Sequence, residues 1–204
     1  MVAKQRYNTG MQLVLGIDEV GRGCWAGPLV AGAVVLGVPL AGLRDSKKLS
    51  ARKRAELATV VHATARGVGL GWVTPKELDA IGMTAAVRLA MVRAVEQVAA
   101  AYDHIIIDGT INYLQDHAVT AGLPIATMVR ADDAVPAVSA ASIVAKVARD
   151  TYMQNVAADF PLYGFDTHVG YGTARHLVAL QTYGACALHR RSFKPVQRVI
   201  GGAV

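Results

Sequence analysis

Residues 16–36, GIDEVGRGCWAGPLVAGAVVL, connect two apolar runs through a glycine-rich segment. The first run ends in two adjacent carboxylates, Asp18 and Glu19, where a β-strand would be expected to bury its side chains. The GRG triplet at 21–23 follows at once, and its glycines permit positive φ and a close approach of the backbone to a ligand. Arg22 can donate charge-assisted hydrogen bonds to phosphate, although a simple tight turn has the same pattern. The stretch predicts a strand, a turn that can bind a ligand, and a second strand.

The chain has the size and composition of one compact domain, spanning residues 1–204. Of its 204 residues, 53% are hydrophobic and 18% are charged, which is unlike a disordered chain. The longest uncharged stretch, 29–43, is too short to span a bilayer and is interrupted by glycine and proline. The first residues lack the apolar core and cleavage site of a signal peptide. We therefore expect a soluble cytoplasmic protein that does not enter a membrane.

Charge and cysteine content narrow the class of partner and of scaffold. The formal net charge of +6 favours a polyanionic partner such as nucleic acid, although many basic proteins bind none. The two cysteines, Cys24 and Cys186, are too few for a disulfide scaffold, and the sequence has no CxxC metal motif. We expect both cysteines to be reduced packing residues. Nothing in the sequence requires more than a monomer.

Short apolar runs punctuated by glycine predict five β-strands. They lie at residues 11–18, 29–37, 67–73, 102–109 and 124–130. The first three follow one another closely and suggest a meander. The fourth contains three consecutive isoleucines before Asp108 and Gly109, which predicts a buried central strand.

Helical patterns and capping residues separate the later strands. Predicted helices follow a Ser50 cap, a capping box at 74–77 that ends at Gly82, and a Thr84 cap, with others from Ser139 and near 173–182. In the helix from Ser139, apolar residues recur at helical spacing and the polar side includes Ser142, Lys146, Arg149 and Asp150, which predicts a partly basic outer face. Strands followed by interleaved helices and strands predict an α/β protein with a mixed sheet.

Acidic residues follow three of the predicted strands. They are Asp18 and Glu19 after the first, Asp108 after the fourth, and Asp132 with Asp133 after the fifth. If these strands are neighbours, the carboxylates converge and repel one another unless a cation neutralises them. Oxygen ligands without cysteine or histidine suit Mg²⁺ or Mn²⁺, and such ions support attack of water on a phosphodiester. From the pattern alone, turn or cap residues remain the alternative.

Six blocks of the sequence, taken together and in order, resemble bacterial ribonuclease HII, the type 2 ribonuclease H. The blocks are GIDEVGRGCWAGPLVAGAVVL, DSKKLS, IIIDG, VPAVSAASIVAKVARD, YGFDTHVGYGTARHL and HRRSFKPV, and they extend from about residue 14 to residue 196. The resemblance implies a ribonuclease H-like fold with a five-stranded mixed sheet flanked by helices and a helical C-terminal part. It also implies an endonuclease that cuts the RNA strand of RNA–DNA hybrids and at single ribonucleotides in duplex DNA, using Mn²⁺ or Mg²⁺.

The family's acidic metal-binding set carries over to Asp18, Glu19, Asp108 and Asp132. Asp132 is aligned by the valine and proline that follow it, although Ala131 replaces the family's usual glycine and Asp133 is a neighbouring alternative. The implied reaction is attack of metal-activated water on the phosphorus at the 5′ side of a ribonucleotide, which leaves 3′-hydroxyl and 5′-phosphate ends.

The family's substrate-binding residues also have counterparts here. The resemblance assigns recognition of the 2′-hydroxyl to Gly21, Arg22, Gly23 and Tyr171. A buried core tyrosine is the alternative for Tyr171. Where many relatives have lysine this chain has Val169, so one phosphate contact is missing or comes from another residue such as Arg175.

Three further basic residues are candidates for contacts to the phosphate backbone. They are Lys47, Lys146 and Arg149, and a solvated surface charge is the alternative for each. Two other functions stay open from sequence: another metal nuclease of the same fold, such as a resolvase or exonuclease, and a non-catalytic module that binds hybrids. The second is disfavoured because all the central carboxylates are present.

Overall fold

A computed structural model of the protein describes residues 12–43 and 46–202. The beginning of the chain, the first residue of the predicted first strand (Met11) and Asp45 of the DSKKLS block lie outside the described residues. The described chain forms one five-stranded sheet. Its strands are β1 (Val14–Val20), β2 (Leu29–Val35), β3 (Gly67–Val73), β4 (His104–Asp108) and β5 (Ile125–Met128).

The sheet is mixed and has the order β3-β2-β1-β4-β5. β1, β2 and β3 pair in antiparallel fashion, which confirms the predicted meander. β4 pairs parallel to β1 and β5 pairs parallel to β4. β1 is therefore the central strand, and the ends of β1, β4 and β5 lie at the same edge of the sheet.

Helices cover both faces of the sheet and form the C-terminal part. They are α1 (Ala51–Thr64), α2 (Pro75–Ile81), α3 (Met83–Glu96), α4 (Ala131–Ala134), α5 (Pro136–Val156), α6 (Phe165–His168), α7 (Ala174–Tyr183) and α8 (Lys194–Ile200), with short 3-10 helices at Ser46–Lys48 and Ala118–Thr120. This arrangement confirms the predicted α/β class and the helical C-terminal part. No helix in the described part of the chain combines the length and apolarity needed to cross a membrane.

Glycines allow helices to pack directly on the strands. A Cβ atom at Gly32 would overlap the carbonyl of Ala141 in α5, and one at Gly71 would overlap the carbonyl of Ala90 in α3. The two helices therefore lie on opposite faces of the sheet with their backbones close to it. One core lies between the sheet and α3, and a second lies between the sheet, α1 and α5.

Two predicted helix starts hold and two are wrong. Ser50 caps α1 by accepting a hydrogen bond from the Lys53 amide at 3.2 Å, and α2 begins with the predicted capping box. Thr84 is not a cap, because Gly82 both ends α2 and starts α3, which places Thr84 inside the first turn. α5 begins at Pro136 and not at Ser139, because proline is well suited to the first turn of a helix.

The polar side of α5 is not an outer face, which corrects the prediction from sequence. Ser142 and Arg149 are buried, and the side chain of Lys146 is only slightly exposed. The reason is that α6 and the loop between β1 and β2 pack over this side of the helix. Similarly, β4 is buried only at Ile105 and Ile107, so it is an interior strand with one fully buried face.

Candidate active site

Asp18 and Asp108 lie side by side at the ends of two neighbouring parallel strands. Ile17 of β1 pairs with Ile107 of β4, so the next residue on each strand is an aspartate. Adjacent strands are about 4.8 Å apart, and side chains alternate between the faces of a sheet. Because Ile17 and Ile107 belong to the core against α3, both aspartates project toward the opposite face, where α5 lies.

Asp18 is a buried carboxylate with only 8% of its surface exposed. Its pKa is raised to about 7, chiefly by burial and also by the charges of Glu19 and Asp108. An interaction with the Ser142 hydroxyl acts in the opposite direction and lowers the pKa. Ser142 in turn lies 3.0 Å from the hydroxyl of Ser46. Either hydroxyl can donate in this pair, which links the 3-10 helix at Ser46–Lys48 to α5 beside Asp18.

Glu19 is on the side of β1 opposite to Asp18, because the strand continues to Val20 without a bulge. Burial raises its pKa, Arg22 lowers it, and Asp108 raises it through its charge. The Arg22 guanidinium lies 3.4 Å from a Glu19 carboxylate oxygen and is half-exposed. The Glu19 carboxylate therefore interacts with the charge of Asp108. It also forms an ion pair with Arg22, whose side chain extends into solvent.

Asp108 anchors the short helix α4 that carries the next two acidic residues. Its Oδ1 accepts hydrogen bonds from the backbone amides of Ala131, at 2.7 Å, and Asp132, at 3.5 Å. Asp132 is buried, whereas Asp133 is partly exposed and its carboxylate lies 2.7 Å from the Lys48 ammonium. Asp132 therefore lies on the side of α4 that faces the interior, and its metal-binding role stays a prediction.

An open cavity of about 510 Å³ lies beside these carboxylates. Its lining includes Lys47 and Lys48 from the 3-10 helix together with Asp108, Asp132 and Asp133. Arg54 holds this helix in place by donating to the carbonyls of Ser46 and Leu49. The structure thus brings Lys47 to the acidic edge of the sheet, which is compatible with the predicted phosphate contact.

The donor set matches a hard divalent cation in type. Its oxygen donors would come from Asp18, Glu19, Asp108 and Asp132. Burial raises the pKa values of Asp18 and Glu19, and repulsion from neighbouring carboxylates adds to the rise, which a bound cation would relieve. As placed, no three acidic, histidine or cysteine side chains within residues 12–43 and 46–202 form a cluster able to hold a metal ion. The carboxylates would therefore have to draw closer together around the ion.

The GRG segment at 21–23 lies where β1 ends. Gly21 has φ of +87°, a conformation that favours glycine, and a Cβ atom there would overlap the guanidinium of Arg149. Gly23 has ordinary φ and no atom within 4 Å of a built Cβ, so packing does not require glycine at that position. Of the two predicted glycines, the fold needs Gly21.

Tyr171 lies next to this segment and is 40% exposed, so it is not a core tyrosine. The Lys146 ammonium lies 5.4 Å and the Arg149 guanidinium carbon 5.9 Å from the centre of its ring. Burial of the hydroxyl raises the pKa of Tyr171 to about 12, and the neighbouring Cys24 adds to the rise. Cys24 is fully buried, as predicted for a packing residue, and Cys24 and Cys186 are both free cysteines.

The structure separates the candidate phosphate contacts. Lys146 lies beside Tyr171 and is paired with Asp150 at 2.9 Å. Arg149 is fully buried, and its guanidinium donates to three main-chain carbonyls. Its predicted contact to the phosphate backbone finds no support in this geometry. Val169 has left-handed backbone with φ of +43°, which is rare for a β-branched residue.

Sequence reasoning missed two residues of this region. Ser142 is buried and interacts with Asp18, whereas the sequence predicts it on an outer face. Arg190, within the basic HRRSFKPV block, is fully buried and contacts the segment that contains GRG. The signal available was the recurrence of polar residues at positions 142, 146 and 149, which share one side of a helix. The amino-acid pattern does not distinguish a polar side in water from one covered by main-chain carbonyls.

Comparisons with known proteins point to one family. The family model described as Ribonuclease HII matches residues 15–196. Ribonuclease HII of Halorhodospira halophila is 46% identical over 191 residues, which cover 93% of this chain and 95% of the relative.

Solved structures show the same fold. The crystal structure of ribonuclease H2 from Pyrococcus horikoshii OT3 superposes with a TM-score of 0.79 at 26% identity and covers 94% of this chain and 99% of that chain. A structure of Bst-RNase HIII in complex with Mn²⁺ has a TM-score of 0.74 at 20% identity, covering 96% of this chain and 71% of that chain, and shows the fold alone. The chain belongs to the ribonuclease HII family of hydrolases, which act on RNA–DNA hybrids.

Proposed function

We propose that the protein is a divalent-metal-dependent endonuclease that also cuts duplex DNA on the 5′ side of an embedded ribonucleotide, leaving 3′-hydroxyl and 5′-phosphate ends. The observation that carries the proposal is the juxtaposition of Asp18 and Asp108 at the ends of β1 and β4, with the pKa of Asp18 raised to about 7 by burial and by its acidic neighbours. Asp18 is buried and Asp108 beside it is only partly exposed, and a buried carboxylate next to a second one destabilises the protein unless a cation is bound. A catalytic role would explain why they are there.

The position of each carboxylate suggests its role in binding the cation. Asp18 and Asp108 would hold the Mg²⁺ or Mn²⁺ ion centrally, and Glu19 and Asp132 would complete its binding from either side. When bound, the cation supplies activation of water and stabilisation of the leaving oxygen. Ser142 fixes the orientation of Asp18, and the two amides at the start of α4 fix that of Asp108.

Recognition of the ribonucleotide would come from two segments that contact each other. The amides of Trp25 and Ala26 donate to the carbonyl of Gly170, at 2.9 and 3.3 Å, so the segment after GRG is joined to the turn before Tyr171. The 2′-hydroxyl distinguishes RNA from DNA, and backbone groups with an aromatic ring beneath the sugar are suited to detect it. Arg22, Lys47 and Lys146 lie near these segments or the acidic edge and would contact phosphates.

Cleavage of defined duplexes tests the proposal. A DNA duplex with one ribonucleotide should be cut by the wild-type protein with Mg²⁺ or Mn²⁺ and left intact by a folded Asp18→Asn variant. Asp133→Asn is the matched control for Asp132→Asn, because both residues lie on α4 but only Asp132 is buried. Activity of Asp18→Asn close to wild type would contradict the metal assignment. Cutting of DNA-only junctions in preference to the ribonucleotide duplex would indicate another nuclease activity, and binding without cutting would indicate a non-catalytic module.

A further inference from the structure

Arg149 joins the two segments assigned to ribonucleotide recognition. It is fully buried on α5, and its guanidinium donates to Pro28 O at 2.9 Å and Ala26 O at 3.1 Å in the loop after β1. The third bond goes to Val169 O at 2.9 Å, in the turn that precedes Tyr171. One side chain therefore fixes the distance between the loop and the turn.

Arg190 holds the same loop from the other side. Its guanidinium donates to Gly27 O at 3.0 Å and to Arg22 O at 3.1 Å, and its own amide donates to Trp25 O at 2.8 Å. The bond to the Arg22 carbonyl lies inside the GRG segment itself. Arg190 is fully buried, and its second terminal nitrogen finds no hydrogen-bond partner among residues 12–43 and 46–202.

These two residues, here called the buried arginine pair, donate their hydrogen bonds to main-chain carbonyls. Within the described residues, neither guanidinium lies within ion-pair distance of an acidic side chain. Burying a charge without a paired charge is unfavourable unless its donors are satisfied. The planar guanidinium has five donors in a fixed fork, so it can hold several carbonyls at once in a way that lysine cannot.

The backbone lies so close to the buried arginine pair that side chains are excluded. A Cβ atom at Gly21 would overlap Arg149, and one at Gly170 would overlap the carbonyl of Ala26. Both glycines have positive φ. The 21–28 loop and the turn before Tyr171 are therefore packed directly against Arg149 at Gly21, and against each other at Ala26 and Gly170.

We propose that Arg149 and Arg190 are positioning residues for ribonucleotide recognition: they hold the 21–28 loop and the 169–171 turn at the separation at which both can contact one sugar. The inference rests on the proposed function. Hydrogen-bond recognition of a hydroxyl requires placement to within about half an ångström, so loosening either segment weakens selection of the 2′-hydroxyl before it weakens general binding to DNA. Arg149 acts through the loop and the turn and not through a phosphate.

Selectivity of binding separates this role from a general loss of structure. In an Asp18→Asn background that binds without cutting, we would measure the dissociation constants for an all-DNA duplex and for the same duplex with one ribonucleotide. Their ratio is independent of the fraction of protein that is folded, because unfolding removes binding capacity for both duplexes equally. The variants are Arg149→Met and Arg190→Met, with Arg149→Lys and Arg190→Lys to retain the charge and the fold.

Arg93→Met is the matched control. Arg93 also donates to a main-chain carbonyl, that of Trp72, and to Glu77, but it touches neither recognition segment. In the Met and Lys variants at 149 and 190, we expect the ratio of the two dissociation constants to fall toward one, by at least about fivefold. In Arg93→Met, the ratio should stay at the value of the parent protein.

If a folded Lys or Met variant at 149 or 190 has the same ratio of dissociation constants as the parent protein, the positioning role of that residue is overturned. If the Met variants do not fold, the Lys variants decide, since lysine cannot reach all the carbonyls that each guanidinium holds. Failure of the proposed function gives a different result: the parent protein itself would bind both duplexes equally, and the wild-type protein would not cut the ribonucleotide duplex.

Discussion

At the scale of the residue, Asp18 is the clearest sign that this fold holds a reactive site. A carboxyl group with only 8% of its surface exposed and a pKa raised to about 7 destabilises the folded protein when ionised. The folded-state pKa lies above the unfolded value, so the unfavourable contribution of Asp18 grows as the pH rises from about 4 to 7 and is complete above that range. A cation reverses this effect by binding the ionised form.

Asp18→Asn should therefore stabilise the metal-free protein while abolishing cleavage. At pH 8 with a chelator present, we expect the free energy of unfolding to rise by on the order of 2 kcal/mol, because the variant buries no charge at this position. Urea unfolding measures the change, which should shrink as the pH is lowered toward 4. Asp133→Asn, at a partly exposed position, serves as control and should change stability little. If the variant is less stable than wild type at pH 8, burial of the ionised Asp18 carboxylate does not destabilise the folded protein.

Val169 offers a second test at the residue scale. Its β-branched side chain occupies left-handed backbone at φ of +43°, at the position where the resemblance to ribonuclease HII leads us to expect lysine. Lysine is not β-branched and adds a charge near the turn, so Val169→Lys should tighten binding to duplex DNA and steepen its salt dependence by about one released ion. Dissociation constants measured across a salt series provide the slope. An unchanged slope would show that the charge at 169 does not reach the phosphate backbone.

At the scale of the element, α5 connects the acidic edge of the sheet to the two segments proposed for ribonucleotide recognition. Ser142, Lys146 and Arg149 lie on one side of the helix, at spacings of four and three residues, and contact Asp18, the ring of Tyr171 and the 21–28 loop in turn. The helix therefore sets the distance between the proposed site of hydrolysis and the proposed site of sugar recognition. Its rigidity comes from packing on the sheet through Gly16 and Gly32, where a Cβ atom would overlap the α5 backbone.

Much of this architecture could be predicted from the sequence, but not the environment of α5. Apolar runs and glycines located all five strands, and the acids after them predicted a common acidic edge. The sequence also showed that Arg149 is on the polar side of its helix. A polar side has the same sequence pattern whether it faces water or a layer of main-chain carbonyls. Those carbonyls come from residues more than 100 positions away at Ala26 and Pro28, and only the folded chain brings them together.

The glycines of the GRG segment provide a prediction for that element. Gly21→Ala should lower the free energy of unfolding by roughly 1–3 kcal/mol, because it requires unfavourable φ and overlaps Arg149. Gly23→Ala is the matched control two residues further along the chain, where φ is ordinary and a Cβ atom would meet no atom within 4 Å. The free energy of unfolding of this variant should remain at the wild-type value. Thermal and urea unfolding of the two variants give the comparison. Equal destabilisation by both would show that the loop does not pack as described.

At the scale of the whole molecule, three buried histidines join the C-terminal part to the recognition turn. His168 stacks on His176 with ring centres 4.4 Å apart, and His176 Nε2 lies 3.0 Å from His189 Nε2. His176 Nδ1 lies 2.9 Å from the carbonyl of Tyr171, so this nitrogen carries the proton and His189 is the donor between the two rings. The arrangement requires neutral rings.

Burial lowers the pKa of His176 and of His189 to about 4, and the neighbouring histidine lowers each further. Because the folded pKa is below the unfolded value, the stability from these rings is complete above about pH 6.5 and is lost as the pH falls toward 4. We expect the ring resonances of both residues in NMR spectra to stay in the neutral form between pH 8 and about 5.5. Titration of either ring near pH 6.5 in the folded protein would contradict the buried, hydrogen-bonded arrangement.

The most direct measurement is cleavage mapping on a DNA duplex that contains one ribonucleotide, with Mg²⁺ and with Mn²⁺ in turn. The wild-type protein should make one cut on the 5′ side of the ribonucleotide with 3′-hydroxyl and 5′-phosphate ends, while folded Asp18→Asn and Asp108→Asn variants leave the duplex intact. Cutting that is independent of the ribonucleotide, or that persists in either variant, would contradict the assignment of hydrolysis to the paired aspartates of β1 and β4.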